Sequence, residues 1–266
     1  MSQPRTIAII PARLASSRFP RKVLAKETGK FLIQHVWERV RGVPGLSQVL
    51  IATDSGEVAS ACNSFGAEVI LTREDHPNGS SRLEEAATAA NADGDDYIIN
   101  VQGDEPEVEP AAILAAVAMA RSSGAEVATI AHAIDNPADF ANPNIVKVVL
   151  NVRGEALYFS RSPIPHVRAS GGAAVIMLRH VGLYVYRAAF LKTYVTLKAT
   201  PLEAAESLEQ LRVLEHGFRI AVARHEPSFT KSQRDQGFGT GIDTPEQYAA
   251  FVARYSKQAR ESDNLT

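Results

Sequence analysis

Short β-branched runs alternate with amphipathic stretches through the first half of the chain: residues 7–10 then 31–41, 49–52 then 57–65, and 68–71 then 81–91. A short apolar run predicts a buried strand, and apolar residues recurring every three or four positions predict a helix. Strands alternating with helices in this way build βαβ units and a mostly parallel sheet. Residues 97–101 predict a further strand, 110–122 a helix with proline at its first position, and 126–131 another strand. The expected fold class is therefore α/β, a doubly wound and mostly parallel sheet whose ligands sit beyond the carboxyl ends of its strands.

After residue 136 the rhythm changes. Residues 145–150, 157–159 and 180–186 read as strands without intervening helices, and 202–217 as one long helix. This predicts a smaller α+β excursion, a lid or dimer lobe. Residues 219–223 and 241–243, the latter leading into a helix over 245–255, return the chain to the main sheet, and the polar tail from 256 is expected to fray. Two stretches without periodicity, 169–175 and 225–241, read as mobile loops. The expected organisation is a nucleotide-binding α/β core of residues 1–135 and 217–266 with an inserted lobe of residues 136–216.

Composition narrows the function. With 45% hydrophobic and 22% charged residues among 266, the chain can bury a sizeable core. A net charge of −2 gives no general field for nucleic acid or an anionic membrane, so any anion site must be local. The opening residues run at once into the short apolar segment 7–10, which lacks the length and cleavage site of a secretory signal, and nowhere do about eighteen apolar residues run together. A cytoplasmic protein is expected. Cys62, the sole cysteine, excludes an intrachain disulfide and a multi-thiolate zinc site, and its helical setting reads as a small buried apolar side chain.

The candidate chemistry begins in Pro11-Ala12-Arg13-Leu14-Ala15-Ser16-Ser17-Arg18-Phe19-Pro20-Arg21-Lys22, which puts four cations between the first strand and the first helix. Guanidinium forks and an ammonium there suit a triphosphate. The loop matches neither the P-loop nor the dinucleotide fingerprint, and taken alone it is equally a solvated surface loop. Asn100-Val101-Gln102-Gly103-Asp104 follows a buried strand: Gly103 allows a tight turn, and Asp104 is thrown out where an oxygen-ligated Mg²⁺ would bridge phosphate oxygens. Asp243, ending an apolar strand before Thr244-Pro245, reads first as a helix cap and is compatible with metal ligation.

Ser81-x-x-Glu84 reads as a capping box, with Arg82 pointing from that first turn toward the cleft. In the second half, alternation puts His180, Gly182, Tyr184 and Tyr186 on one strand face, and 202–212 carries Glu203, Glu206 and Glu209 beside an apolar stripe. A charged row is ordinarily a solvated face, but His, Tyr, Glu and Gln together are the partners a polyhydroxylated substrate needs. His35, His132 and His216 fall in helix or strand patterns and are given no role.

These residues resemble the 3-deoxy-manno-octulosonate (Kdo) cytidylyltransferase family. The resemblance covers about residues 7–255 and rests on ordered motifs: Ile-Pro-Ala-Arg-x-x-Ser-x-Arg-x-Pro-x-Lys, Ala-Thr-Asp, Gly-x-x-Arg-Leu, Asn-Val-Gln-Gly-Asp-Glu-Pro, Tyr-Phe-Ser-Arg, Arg-His-x-Gly-x-Tyr, Leu-Glu-Gln-Leu-Arg-x-Leu and Asp-Thr-Pro-Glu. It implies a nucleotide-diphospho-sugar transferase-like fold with a lobe for sugar binding and dimerisation, and attack of the Kdo anomeric hydroxyl on the α-phosphate of CTP, activating the sugar for lipopolysaccharide synthesis.

By position it implies Lys22, Arg18 and Asp104 as catalytic residues, and Ala12, Arg13, Ser17, Arg18, Lys22 and Arg82 around CTP. Asp104 and Asp243 would hold Mg²⁺. Gln102, Arg161, Arg168, His180, Tyr184, Glu209 and Gln210 would meet the sugar acid, in a homodimer. Departures are Arg21 where the family usually has glycine, Ser81 where it usually has an acid, His166-Val167-Arg168 for a common Trp-Asp-Arg, and Val185 for a usual glycine. Alternatives are a cytidylyltransferase for another 2-keto sugar acid, such as sialic acid, and an inactive nucleotide-binding homologue.

Overall fold

The computed structural model describes residues 3–16, 18–76, 78–168, 175–237 and 239–263. In chain order the elements are β1 (Thr6–Ala12), α1 (Leu32–Arg41), β2 (Gln48–Thr53), α2 (Gly56–Ser64), β3 (Glu68–Leu71), α3 (Gly79–Ala89), β4 (Tyr97–Asn100), α4 (Pro110–Ser123) and β5 (Val127–Ala133). There follow α5 (Pro137–Ala141), β6 (Lys147–Leu150), β7 (Ala156–Ser160), β8 (Leu178–Arg187), α6 (Ala188–Tyr194), α7 (Pro201–Glu206), α8 (Gln210–Glu215), β9 (Ile220–Arg224), α9 (Lys231–Asp235) and α10 (Pro245–Asp263). They fall into two compact units.

The first unit comprises Arg5–Ala92, Asn100–Pro110 and the chain from Pro227. Its strand order is β3-β2-β1, both ladders parallel, with Ile7 opposite Gln48 and Leu50 opposite Glu68. Parallel neighbours need a crossover, and α1 and α2 supply it. Ile7, Ile9 and Ile10 are fully buried, as β-branched residues on a pleated surface should be. Leu32, Ile33, Val36, Trp37 and Val40 form the buried stripe of α1. Leu32 packs with Ile242, Tyr248 and Phe251, so α10 is held against α1. Cys62 is buried as expected, and desolvation pushes its thiol up to about 12.

The second unit comprises Asp93–Ile99 and Ala111–Glu226. Its strand order is β4-β8-β5-β9. β5 runs antiparallel to β8 and parallel to β9, while β6 and β7 form an antiparallel pair, with β6 also joined to the start of β8. This division does not follow the boundaries at 135 and 217. The ladders from β5 to β8 and β9 group both strands with the excursion, because backbone pairing outweighs sequence adjacency.

Five local expectations change. The helix expected over 202–217 is α7 and α8, broken at Ser207, which takes φ 50°. The strand expected at 241–243 is irregular, its Ile242 N–H donating to Asp104 O at 2.9 Å. The tail expected to fray from 256 continues α10 to Asp263. The cap of α3 is Asn78, whose Oδ1 accepts the Ser81 N–H at 2.9 Å, so Ser81 belongs to the first turn. The 225–241 stretch contains α9 and is anchored, as described below; residues 169–174 of the other expected loop lie outside the described residues. Among the described residues no helix is long and apolar enough to cross a membrane.

Candidate active site

β1 delivers buried Ala12 to its carboxyl end, where the basic loop begins. The loop closes in a 3₁₀ turn over Lys22–Leu24, with Leu24 N–H donating to Arg21 O at 2.9 Å. To enter that turn Arg21 adopts φ 60°, the left-handed region that disfavours a side chain. Glycine is the residue for which such a position is conformationally cheapest. Arg21 pairs with Glu57 at the surface.

The turn buries Lys22 and aims it at two acids. Its Nζ, on a side chain only 9% exposed, donates to Asp104 Oδ2 at 2.7 Å and to Asp243 Oδ1 at 3.2 Å. Arg18 Nη2 meets the same Asp243 oxygen at 2.9 Å, in a pair exposed enough to contribute little stability. Gly103 is required by close approach: a Cβ there would lie 2.6 Å from the Pro11 carbonyl oxygen. That contact seats the Asp104 loop against the end of β1, where Val101 N–H donates to Ile9 O at 3.2 Å. The expected tight turn is present, with Glu105 N–H donating to Gln102 O at 3.3 Å, and the close packing adds a second requirement for glycine.

Asp243 is spared the capping role. Thr244 Oγ1 accepts the Gln247 N–H, and Gln247 Oε1 accepts the N–H groups of Thr244 and Asp243, closing the start of α10. The Asp243 carboxylate is left for Lys22 and Arg18. Two carboxylates converging on one ammonium are hard oxygen donors around a cationic position, a set that fits Mg²⁺ held jointly with substrate phosphates. Among the described residues no group of three or more His, Cys, Asp or Glu side chains is arranged to hold a metal alone.

Arg13 Nη2 donates to His76 O at 2.8 Å. The buried His76 ring lies between Ser81 Oγ and Glu85, which also accepts from Arg73. Burial raises the Glu85 pKa, but the hydrogen bonds from His76 and Arg73 outweigh it and hold the carboxyl below its ordinary range. Arg82, expected to face the cleft, turns to partners on neighbouring elements. It is fully buried, bound to Asp54 and Thr72 Oγ1, with Nε lacking a partner. Leu83, next in the first turns of α3, is equally buried, so the guanidinium points to the end of β2. Gln102 is half-buried in the Asp104 loop, and Ser17 lies outside the described residues.

The sugar-facing candidates lie in the second unit. A bulge in the β5–β8 ladder leaves Gly182 and Leu183 between the pairs Ile130–Val181 and Thr129–Tyr184. Past it, His180, Tyr184 and Tyr186 still form a ring ladder, with centroids 5.3 and 5.9 Å apart. Thr129 Oγ1 donates to Leu183 O at 2.7 Å and lies 3.0 Å from His180 Nε2. Burial depresses His180 to about 3, so the ring is neutral. The assignment satisfying both groups has Nε2–H donating to Thr129 Oγ1, which leaves Nδ1 an acceptor. Burial likewise raises the Tyr184 phenol, keeping it a donor.

Gln210 opens α8 with its amide Nε2 buried and unpartnered, a donor awaiting an acceptor, and Glu209 is the N-cap beside it. Arg161 is committed elsewhere: Nε donates to Glu206 O at 2.7 Å and Nη2 to Ser207 O at 3.4 Å. The Glu206 carboxylate accepts from Ser160 Oγ and Arg161 N–H. The Tyr-Phe-Ser-Arg motif thereby clamps the break before Glu209. Arg168 is exposed. Asp54 was not among the expected site residues, and the Ala-Thr-Asp motif was its only signal; Glu206 was named only within the acidic row of 202–212.

Residues 7–220 match the sequence model of the Cytidylyltransferase family. A 3-deoxy-manno-octulosonate cytidylyltransferase of Leptothrix cholodnii is 46% identical over 245 residues, covering 90% of this chain and 87% of the relative. One of Acidovorax ebreus is 44% identical over 251 residues, covering 89% and 92%. The chain belongs to the 3-deoxy-manno-octulosonate cytidylyltransferase family. A solved CMP:2-keto-3-deoxy-manno-octonic acid synthetase, complexed with CTP, has a TM-score of 0.86 at 40% identity and covers 96% of this chain and 99% of its own. The family's α/β nucleotidyltransferase fold is the fold of this chain.

Proposed function

We propose that the chain transfers CMP from CTP to the anomeric hydroxyl of Kdo, with release of pyrophosphate. The observation that carries this reading is the convergence of Lys22, Arg18, Asp104 and Asp243 at the end of β1 in a member of this family. The anomeric oxygen forms a bond to the α-phosphorus as the bond from that phosphorus to the pyrophosphate oxygen breaks, and the hydroxyl proton is lost. Such a transfer needs in-line positioning and neutralised phosphate charge, and no protein nucleophile.

Arg13, Arg18 and Lys22 hold the triphosphate, with Ala12 and Ser17 beside the nucleotide. Arg82, through Asp54, fixes the frame around it. Asp104 and Asp243 would hold Mg²⁺, which when bound supplies charge neutralisation at nonbridging phosphate oxygens. Gln102, His180 Nδ1, Tyr184, Glu209 and the Gln210 amide orient the sugar acid, and Arg168 faces its carboxylate. Arg161 serves that group through the α7–α8 break.

The reading extends to a cytoplasmic homodimer, joined through the smaller lobe of residues 136–216, that supplies lipopolysaccharide synthesis and binds neither nucleic acid nor membrane. The test is pyrophosphate release across CTP and UTP, with and without Mg²⁺, against Kdo and other 2-keto sugar acids including sialic acid. Magnesium-dependent release with CTP plus Kdo is expected, and no release with any sugar acid would overturn the enzyme reading.

A further inference from the structure

The catalytic reading uses Asp104 and Asp243 but does not say what fixes them relative to one another. They come from segments 100–110 and 227–244, whose direct backbone tie is the bond from Ile242 N–H to Asp104 O at 2.9 Å. A buried ion pair adds a second tie. Glu107, three residues beyond Asp104, faces Arg254 of α10, with side chains 9% and 13% exposed. Arg254 Nη2 donates to Glu107 Oε2 at 3.0 Å and Nε to Oε1 at 3.4 Å.

Both partners also grip the segment that leads to Asp243. Glu107 Oε2 accepts the Gly239 N–H at 3.2 Å, and Arg254 Nη1 donates to Gln236 O at 3.0 Å. Gly239 at φ +67° leaves no room for a side chain, since a Cβ would meet the Phe229 ring at 2.8 Å. Upstream, Ser228 N–H donates to both oxygens of Glu109. Downstream, Gly241 lies beside Asp104, where a Cβ would be in ordinary contact with Asp104 Oδ1 at 3.7 Å. The stretch expected to be a mobile loop is therefore fastened to the Asp104 loop and to α10 on either side of the carboxylate pair.

We propose that Glu107 and Arg254 are positioning residues that set the spacing of Asp104 and Asp243 for a divalent cation. The inference rests on the reading of those two carboxylates as the metal site. It touches no substrate directly; the ion pair acts by holding the 236–241 backbone. A buried pair can be exchanged for apolar side chains of similar volume with little loss of stability, but the exchange removes the Glu107 acceptor for Gly239 N–H and the Arg254 donors to Gln236 O and Gly237 O. Stability and positioning can therefore be separated.

The test measures Mn²⁺ binding to the full chain with CTP present, by water proton relaxation, for wild type, Glu107→Gln, Arg254→Lys, the double variant Glu107→Met/Arg254→Leu, and Asp104→Ala. The expected result is Mn²⁺ binding weakened about tenfold or more in Glu107→Gln and in the double variant, in the range typical of groups that orient metal ligands. Arg254→Lys, which keeps the charge, should retain part of the affinity. The Mg²⁺ concentration for half-maximal pyrophosphate release should rise in parallel while turnover at saturating Mg²⁺ stays near wild type, and the double variant should melt close to wild type. Wild-type Mn²⁺ affinity in both Glu107→Gln and the double variant, with Asp104→Ala weakened, would overturn the positioning role alone. Wild-type affinity in Asp104→Ala would overturn the metal reading beneath it.

Discussion

Lys22 Nζ donates to Asp104 Oδ2 at 2.7 Å, joining side chains 82 residues apart, and the same ammonium reaches Asp243 Oδ1 at 3.2 Å. A cation expected to hold phosphate and two acids expected to hold a metal thus share one charge cluster. Neutralising one acid disturbs both functions. Asp104→Asn, which keeps the shape, should lower turnover by about 10²-fold or more, the scale for losing a preorganised electrostatic group. Steady-state pyrophosphate release with circular dichroism as a folding control checks this; wild-type turnover would remove Asp104 from the site.

Arg21 gives a prediction of opposite sign. Its φ of 60° carries a left-handed cost of about 1–2 kcal/mol, partly offset in any glycine variant by the greater entropy of the unfolded chain. The Arg21–Glu57 pair, with side chains 60% and 46% exposed, adds little. Arg21→Gly should raise the urea-unfolding free energy by up to about 1 kcal/mol. A clear loss of stability would show that the surface pair matters more than the backbone.

His180 ties stability to pH. Burial depresses its pKa to about 3 from the ordinary 6.5, so the unfolded chain binds more protons than the folded chain between those values. His180 therefore costs nothing above about pH 6.5 and destabilises increasingly as pH falls toward 3, at up to about 1.4 kcal/mol per pH unit. His35, lowered to about 4 by burial, adds in the upper part of the window. Urea titrations should show stability falling from pH 6.5 to 4.5, with a shallower fall in His180→Gln. An equal slope in the variant would contradict a buried neutral ring.

Arg161 and Glu206 should separate the two substrates. Arg161→Lys loses the fork that binds the Glu206 and Ser207 carbonyls, loosening the break that presents Glu209 and Gln210. Losing charge-assisted hydrogen bonds of about 1.5–3 kcal/mol should raise the Kdo half-saturation about tenfold or more, with that for CTP unchanged. Initial-rate kinetics varying each substrate in turn distinguishes this from general destabilisation, which would lower turnover without favouring one substrate.

Local pattern carried much of the fold. The strands β1 to β4 and helices α1 to α4 lie within a few residues of their expected bounds, since periodicity and short range caps set them. Where capping depended on a particular side chain, the expectation moved, by about a turn from Ser81 to Asn78 and by one residue from Asp243 to Thr244.

By itself the sequence determined the α/β class, the basic loop after β1, and the acids at Asp104 and Asp243, because each depends on residues close together in the chain and on ordered motifs. Only the tertiary structure decided that Lys22 bridges those acids, that Arg82 turns inward to Asp54, and that Ser207 breaks a helix under the grip of Arg161. Those outcomes depend on partners tens to hundreds of residues away. A charged side chain's direction is set by which distant partner compensates its desolvation, and periodicity along the chain holds no record of that choice.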